Sequence, residues 1–333
     1  MPKLITRRTT LAGLTASFSA PAFGQSAAGS VVVYTSNPAQ AVEAVTDVAR
    51  KTTPNLKLST VTGGSGQLLR RIEAEAGKAQ ADVFWTSSAN TLGGFKQFFE
   101  PYAVKHKAAI LPALVHPQDL WTAANMHVAV LMVNKNQLGG LPEPKSWADV
   151  LEPKFKGKLI IADPANSSTG YTILWGVEKM LGADGLKALA NNVKVTASAP
   201  TVLRSVGQGE YAIGLTFESN AYAYVAGGQK EIALVYPADG TYTTPEFYTL
   251  IKGAPGGALA QQACDLLASK EVQIALLEGA FRRPARNDIE IAKYAELPEL
   301  SKIKVFDINE EEAAAQRKDF LARFAALVVA TGN

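Results

Sequence analysis

The chain has 333 residues, 47% of them hydrophobic, and its 33 Lys and Arg face 30 Asp and Glu. So small an excess of positive charge gives no electrostatic support for nucleic-acid or membrane-surface binding, so nucleic acid is excluded as an expected partner. Cys264 is the only cysteine, which rules out an intrachain disulfide, and a chain of this length buries a large core, expected as two lobes.

The first segment reads as an export signal over residues 1–24. Arg7 and Arg8 form a basic start, residues 11–22 are apolar with small polar interruptions, and Ala22-Phe23-Gly24 presents small residues to a signal peptidase. Thr6-Arg7-Arg8-Thr9-Thr10-Leu11 is also similar to a twin-arginine signal. The apolar run is shorter than the ~20 residues that span a bilayer, and no later charge-free segment reaches that length. Removal of the signal takes away Lys3, Arg7 and Arg8 and no acid, so the mature chain is close to neutral. Any affinity for an anion must then come from a local site.

Beyond the signal, short β-branched runs alternate with longer helical patterns, which predicts an α/β architecture with largely parallel pairing. Strands are expected at 31–35, 56–62 and 82–86, and helices at 39–53 and 67–77. Each strand exits into small polar residues: Ser36-Asn37, then Gly63-Gly64-Ser65-Gly66, then Ser87-Ser88. In an open parallel sheet the strand ends share one rim, where loops enter helix N-termini with unpaired N–H groups and a positive dipole end. Serine and glycine there admit a ligand and add donors, although Ser and Asn are also ordinary helix caps.

The second half repeats the pattern. A strand at 158–162 leads through Asp163-Pro164-Ala165-Asn166-Ser167-Ser168-Thr169-Gly170 into a helix over 171–181. One cap needs one hydroxyl; three in a row leave a surplus that favours an anion site. A helix end follows at 203–208, a strand at 211–217 with Glu218 at its exit, a helix over 219–227, a strand at 231–236, a turn at 237–240 and a strand at 247–251. Helical patterns then reach residue 329, with Cys264 in one of them as a buried, inert thiol.

In order and spacing, several stretches resemble one family. They are residues 32–36 (Val-Val-Tyr-Thr-Ser), 80–87 (Gln-Ala-Asp-Val-Phe-Trp-Thr-Ser), 146–153 with 155–158, Asp163-Pro164 with 167–171, 209–218, and Tyr236-Pro237 with 239–241. The family is the extracytoplasmic solute-binding proteins of ABC importers, in the branch that takes iron, thiamine, phosphonates and organophosphates. The resemblance implies a two-lobed periplasmic binding fold of type II: a discontinuous first lobe (30–129 and 246–333), a second lobe (130–245), and hinge strands near 126–134 and 246–251. It also implies a periplasmic monomer that closes on its ligand by a hinge motion and delivers it to an ABC permease.

The ligand cleft is then expected to be lined by Ser36, Asn37, Ser65, Gly66, Ser87 and Ser88 from the first lobe and Ser167, Ser168, Thr169 and Gly170 from the second. Charge-assisted hydrogen bonds contribute about 1.5 to 3 kcal/mol each and micromolar binding needs about 8, so five or six donors suffice without a cation. Glu218 is expected either to receive a ligand ammonium or sugar hydroxyl, or to cap the following helix. Tyr222 and Tyr224 are candidates for a cleft wall, but side chains two apart on a helix diverge, so at least one packs. Iron-binding members place adjacent tyrosines after a Gly-Leu segment; here those positions fall on Ser219 and Asn220. His106, His116 and His127 lack metal-ligand spacing, so no metal or other cofactor is expected. No nucleophile elbow surrounds Ser65, and Walker, zinc and redox motifs are missing, so no catalytic residue is assigned. The reading is capture of a small anionic solute, a phosphonate or organophosphate, with a ferric-iron binder or a secreted hydrolase as alternatives.

Overall fold

A computed structural model describes residues 29–86, 88–306 and 308–331; the expected signal at 1–24 and Ser87 lie outside them. The first half is a parallel unit: β1 (Ser30–Thr35), α1 (Ala39–Thr52), β2 (Lys57–Thr62), α2 (Ser65–Ala74) and β3 (Val83–Trp85). Then come α3 (Ala89–Leu92), β4 (Phe99–Glu100) and the long β5 (Thr122–Asn134). The second half holds α4 (Trp147–Leu151), β6 (Leu159–Ala162), α5 (Ser168–Asn192), β7 (Val193–Thr196), α6 (Ala199–Gly207), β8 (Ile213–Phe217), α7 (Glu218–Ala226) and β9 (Ile232–Val235). The chain returns along β10 (Thr241–Ile251) to α8 (Ala258–Leu267), α9 (Lys270–Ala280), β11 (Arg283–Pro284), β12 (Val305–Phe306) and α10 (Glu310–Thr331).

The strand order is β2-β1-β3-β10-β5-β8-β6-β7. β5 and β10 are long because each serves two halves. Residues 122–128 of β5 pair with β10, and 129–133 pair antiparallel with β8. β10 in turn pairs at 248–250 with β3. These two strands join the two halves of the sheet.

Each half has helices on both faces of its sheet, and the alternation of side chains sorts the layers. Val31, Val33, Val83 and Trp85 face α1, α8 and α9, while Tyr34 and Phe84 face Leu68, Leu69 and Ile72 of α2. In the second half Leu131, Leu159, Ile161 and Leu215 meet Trp147, Tyr171, Trp175 and Leu189, whereas Val130, Met132 and Ile160 meet Val202, Val206 and Ala221. Cys264 is buried in the first of these cores, and burial pushes its thiol pKa up.

Several element bounds differ from the sequence reading, most of them by a residue or two. Helix α5 runs on past 181 because Gly182, at φ 73°, lets the chain kink and resume. Its first turn also starts at Ser168, so Ser168 and Thr169 are helical residues. Strand β10 starts at Thr241, not at 247; Pro245 within it sits beside a register shift between Glu246 and Phe247, where a lost N–H is tolerated. The last helix, placed in the first lobe by the boundary 246–333, touches both lobes: Asn90 N of α3 donates to Glu310 at its start at 2.9 Å, and its later turns reach the second. Ala313, Phe320 and Phe324 of α10 lie in the second-lobe core, with Phe320 edge-on to Tyr171 at 5.4 Å and to Trp175 at 5.6 Å. The long tail crosses back because those rings need an apolar partner.

This predicts that Phe320→Ala, which deletes a fully buried ring, lowers stability by about 3 to 5 kcal/mol in denaturant unfolding. A loss below about 1 kcal/mol would mean that the tail is not part of the core.

Candidate ligand-binding cleft

In the parallel register Thr35 is level with Thr62 on one side and Trp85 on the other. The residues that follow each strand therefore emerge at one height. Ser36 Oγ lies 3.1 Å from Ser65 Oγ and contacts Thr86 Oγ1, and Ser65 Oγ lies 3.4 Å from Thr86 Oγ1. Three hydroxyls from three strand exits thus form one cluster. Neither Pro38 nor Gly64, which precede α1 and α2, offers a side-chain cap, so the first-turn N–H groups there have no hydroxyl or carboxylate partner from the cap residue.

The cluster opens on a cleft of about 440 Å³. From the first lobe it is lined by Ser36, Asn37, Ser65, Thr86 and Ser88; from the second by Asn166, Ser167, Ser168, Thr169, Thr172, Ser198 and Asn220. Ser167 Oγ accepts from Gly170 N at 3.3 Å and so caps α5, and Ser198 Oγ does the same for α6 from Thr201 N at 3.4 Å. The hydroxyls of Ser168 and Thr169 are the surplus that capping does not use. Gly66 and Gly170 do not line the cleft. At Gly170 the reason is packing: a Cβ would stand 2.1 Å from the Ala162 carbonyl oxygen, so the glycine lets α5 lie against β6.

Glu218 and Tyr222 correct the sequence reading, because the structure places neither in the cleft. Glu218 is buried and bound on both oxygens: Arg283 donates through Nε at 2.6 Å and Nη2 at 2.7 Å, and the Tyr236 hydroxyl donates at 2.5 Å. Such a bidentate pair leaves a ligand nothing to bind. Tyr222 packs edge-on against Phe281 at 4.8 Å in a side cluster with Leu277 and Ile289. Tyr224 packs in the second-lobe core beside Val202.

The cleft floor was missed from the sequence. It is made by Thr244, Pro245 and Glu246 of β10, His127 of β5, Phe217 and Arg282. His127 stacks on Phe217 with centroids 4.7 Å apart and rings 7° from parallel. Its Nε2 lies 2.9 Å from Arg282 Nη1 and its Nδ1 3.5 Å from Ser219 Oγ. Since a guanidinium only donates, Nε2 is an acceptor and the imidazole is neutral. Burial, and then the Arg282 charge, push its pKa down. For Glu246 burial pulls upward, but Arg282, His127 and Asn37 together hold the carboxyl below its ordinary value. These residues stand far apart in sequence, and the only signal in it was polar side chains inside apolar strands. Among the described residues, no group of three or more His, Cys, Asp or Glu side chains is placed to hold a metal ion.

Residues 81–314 match the family described as "Bacterial extracellular solute-binding protein", and the chain belongs to it. An uncharacterized Haemophilus influenzae protein is 30% identical over 288 residues, 81% of this chain and 82% of that one. A Salmonella typhimurium protein provisionally named as a 2-aminoethylphosphonate-binding periplasmic protein is 24% identical over 251 residues, 69% of each chain. The structure of the periplasmic binding protein AfuA from Actinobacillus pleuropneumoniae with fructose-6-phosphate is 25% identical, has a TM-score of 0.82, and covers 91% of this chain and 99% of its own. The fold is the two-lobed type II periplasmic binding fold, the localisation is the periplasm, and the family's members are solute-binding proteins of ABC importers.

Two outcomes follow. Glu218→Ala leaves Arg283 buried without its counter-ion and is expected to destabilise the fold by about 3 to 5 kcal/mol; a variant of unchanged stability that fails only in ligand binding would return Glu218 to the site. For His127, the unfolded chain takes up a proton below about pH 6.5 that the folded chain refuses, so stability is lost as pH falls. The drop in melting temperature between pH 7.5 and pH 5 should therefore be smaller in His127→Gln than in the parent, and equal drops would refute the buried neutral imidazole.

Proposed function

We propose that the protein captures a small periplasmic solute bearing a phosphate or phosphonate group and presents it to an ABC permease. The observation that carries this reading is the facing supply of neutral donors. Ser36, Ser65, Thr86 and Ser88 come from one lobe and Ser167, Ser168 and Thr169 from the other, at the starts of helices. Among the described residues, Arg282 and Glu246 are the only formally charged ones that line the cleft, and they are paired with each other. A tetrahedral oxyanion offers more acceptor positions than a planar carboxylate and suits donors arriving from several directions. Dipole ends and hydroxyls stabilise it without a net positive wall.

The relatives' names support the same chemistry: one refers to an aminoalkylphosphonate and one solved structure to a sugar phosphate. For iron, the adjacent tyrosines of iron-binding members are replaced by Ser219, buried against His127, and Asn220. For hydrolysis, a nucleophile needs a base within hydrogen-bond reach. The imidazole of His127 is engaged by Arg282 and Ser219, and the Ser65 hydroxyl meets only Ser36 and Thr86. The serines act as donors, the protein turns nothing over, and it works as a monomer that closes around its ligand.

The test is the triple substitution of Ser167, Ser168 and Thr169 by Ala, measured by calorimetry with the tightest binder in a thermal-shift panel of phosphonates, sugar phosphates and phosphoglycerates. Affinity should fall about tenfold or more while the chain stays folded, with roughly 1 kcal/mol of stability lost with the Ser167 cap. Undiminished affinity would count against the reading.

A further inference from the structure

Arg282 and Arg283 are neighbours that each meet a buried carboxylate, and the two pairs are built differently. The Arg283 pair with Glu218 has contacts of 2.6 and 2.7 Å, helped by Tyr236. The Arg282 pair with Glu246 is loose: the nearest contact is 3.3 Å, and His127 stands 3.8 Å from the other oxygen. Arg282 Nε is buried without a partner, and so is Asn37 Oδ1. Glu246, Arg282 and Asn37 all line the cleft, and each is at most 6% exposed. Buried polar groups that lack partners are costly, and the residues that carry these two line the ligand cleft.

Local backbone structure holds the set in place. The register shift in β10 falls between Glu246 and Phe247 and re-aims the strand where the carboxylate sits. Phe281, at φ 55°, is in the left-handed region that a bulky residue rarely adopts, and it turns the chain from α9 into Arg282. Phe217, stacked on His127, and Pro245 and Leu203 provide apolar surface in the same cleft.

We propose that Glu246, Arg282 and Asn37 form a second recognition point that selects a phosphorylated polyol or sugar, through neighbouring hydroxyls on its carbon skeleton. This rests on the oxyanion reading of the preceding section. A hydroxyl both donates and accepts, so adjacent hydroxyls satisfy the Glu246 carboxylate and the Arg282 guanidinium together. An ammonium only donates, and beside Glu246 it would meet the Arg282 charge already there. The apolar surface suits the C–H face of a sugar, and about 440 Å³ is in the range of small-molecule pockets, with space beyond a phosphate group.

The experiment is calorimetry on the parent and on Glu246→Gln with fructose 6-phosphate, glycerol 3-phosphate, 2-aminoethylphosphonate and inorganic phosphate. The parent should prefer the two hydroxylated esters over 2-aminoethylphosphonate by about tenfold or more, and in Glu246→Gln the ratio of fructose 6-phosphate to inorganic phosphate affinity should fall by a similar factor. The isosteric amide keeps the volume, a melting curve checks its folding, and the parent's ranking needs no variant. Tightest binding of 2-aminoethylphosphonate, or an unchanged ratio in the variant, overturns the polyol assignment and leaves the oxyanion site standing. Failure of all four compounds to bind the parent overturns the oxyanion reading itself.

Discussion

The antiparallel pairing of β5 with β10 is the constraint on which the rest of the molecule depends. Residues 122–128 of one strand and 243–248 of the other are bonded at the centre, and each strand continues into a different sheet at its far end. The pair therefore does two jobs. It ties the two cores together, and it forms the floor of the space between them. A side chain on this pair is close to both lobes at once, which is why His127, Thr244 and Glu246 come to lie in the cleft.

The walls of the cleft follow from a simpler rule. Parallel strands in register must end level with one another, so the loops after β1, β2 and β3 share a rim, and β6 and β8 do the same in the second half. Helix starts then follow from the connection that parallel strands require. Ligand-binding potential here is a by-product of topology, sharpened by Ser and Thr at positions where one cap would have been enough.

The adjacent arginines show how the fold separates structure from binding. Arg283 is turned inward to neutralise Glu218 at the start of α7, with every carboxylate oxygen engaged. Arg282, one residue earlier, reaches His127 and Glu246 in the floor of the cleft. The alternation of a short extended segment directs neighbouring side chains to opposite sides. Two identical residue types acquire different roles from that geometry alone.

Periodicity and composition were enough to read the α/β class, the parallel pairing of the first strands, the surplus hydroxyls at Ser167, Ser168 and Thr169, and Ser36, Asn37 and Ser65 at strand exits. Those features are local: they depend on alternation, capping chemistry and turn residues within a few positions. The roles of Glu218, Tyr222 and the last helix were not local. Glu218 looked like a rim carboxylate until Arg283, 65 residues later, was found against it, and Phe320 showed its place only when it met Tyr171 and Trp175 in the second-lobe core. The floor formed by His127, Glu246 and Arg282 depends on a bulge and a left-handed turn, neither of which leaves a periodic trace. By itself the sequence determined the main alternation of strands and helices and that polar donors gather at strand ends. Tertiary structure alone decided which charges face the ligand and which are neutralised in the core, because pairing of distant side chains depends on register and burial and not on spacing along the chain.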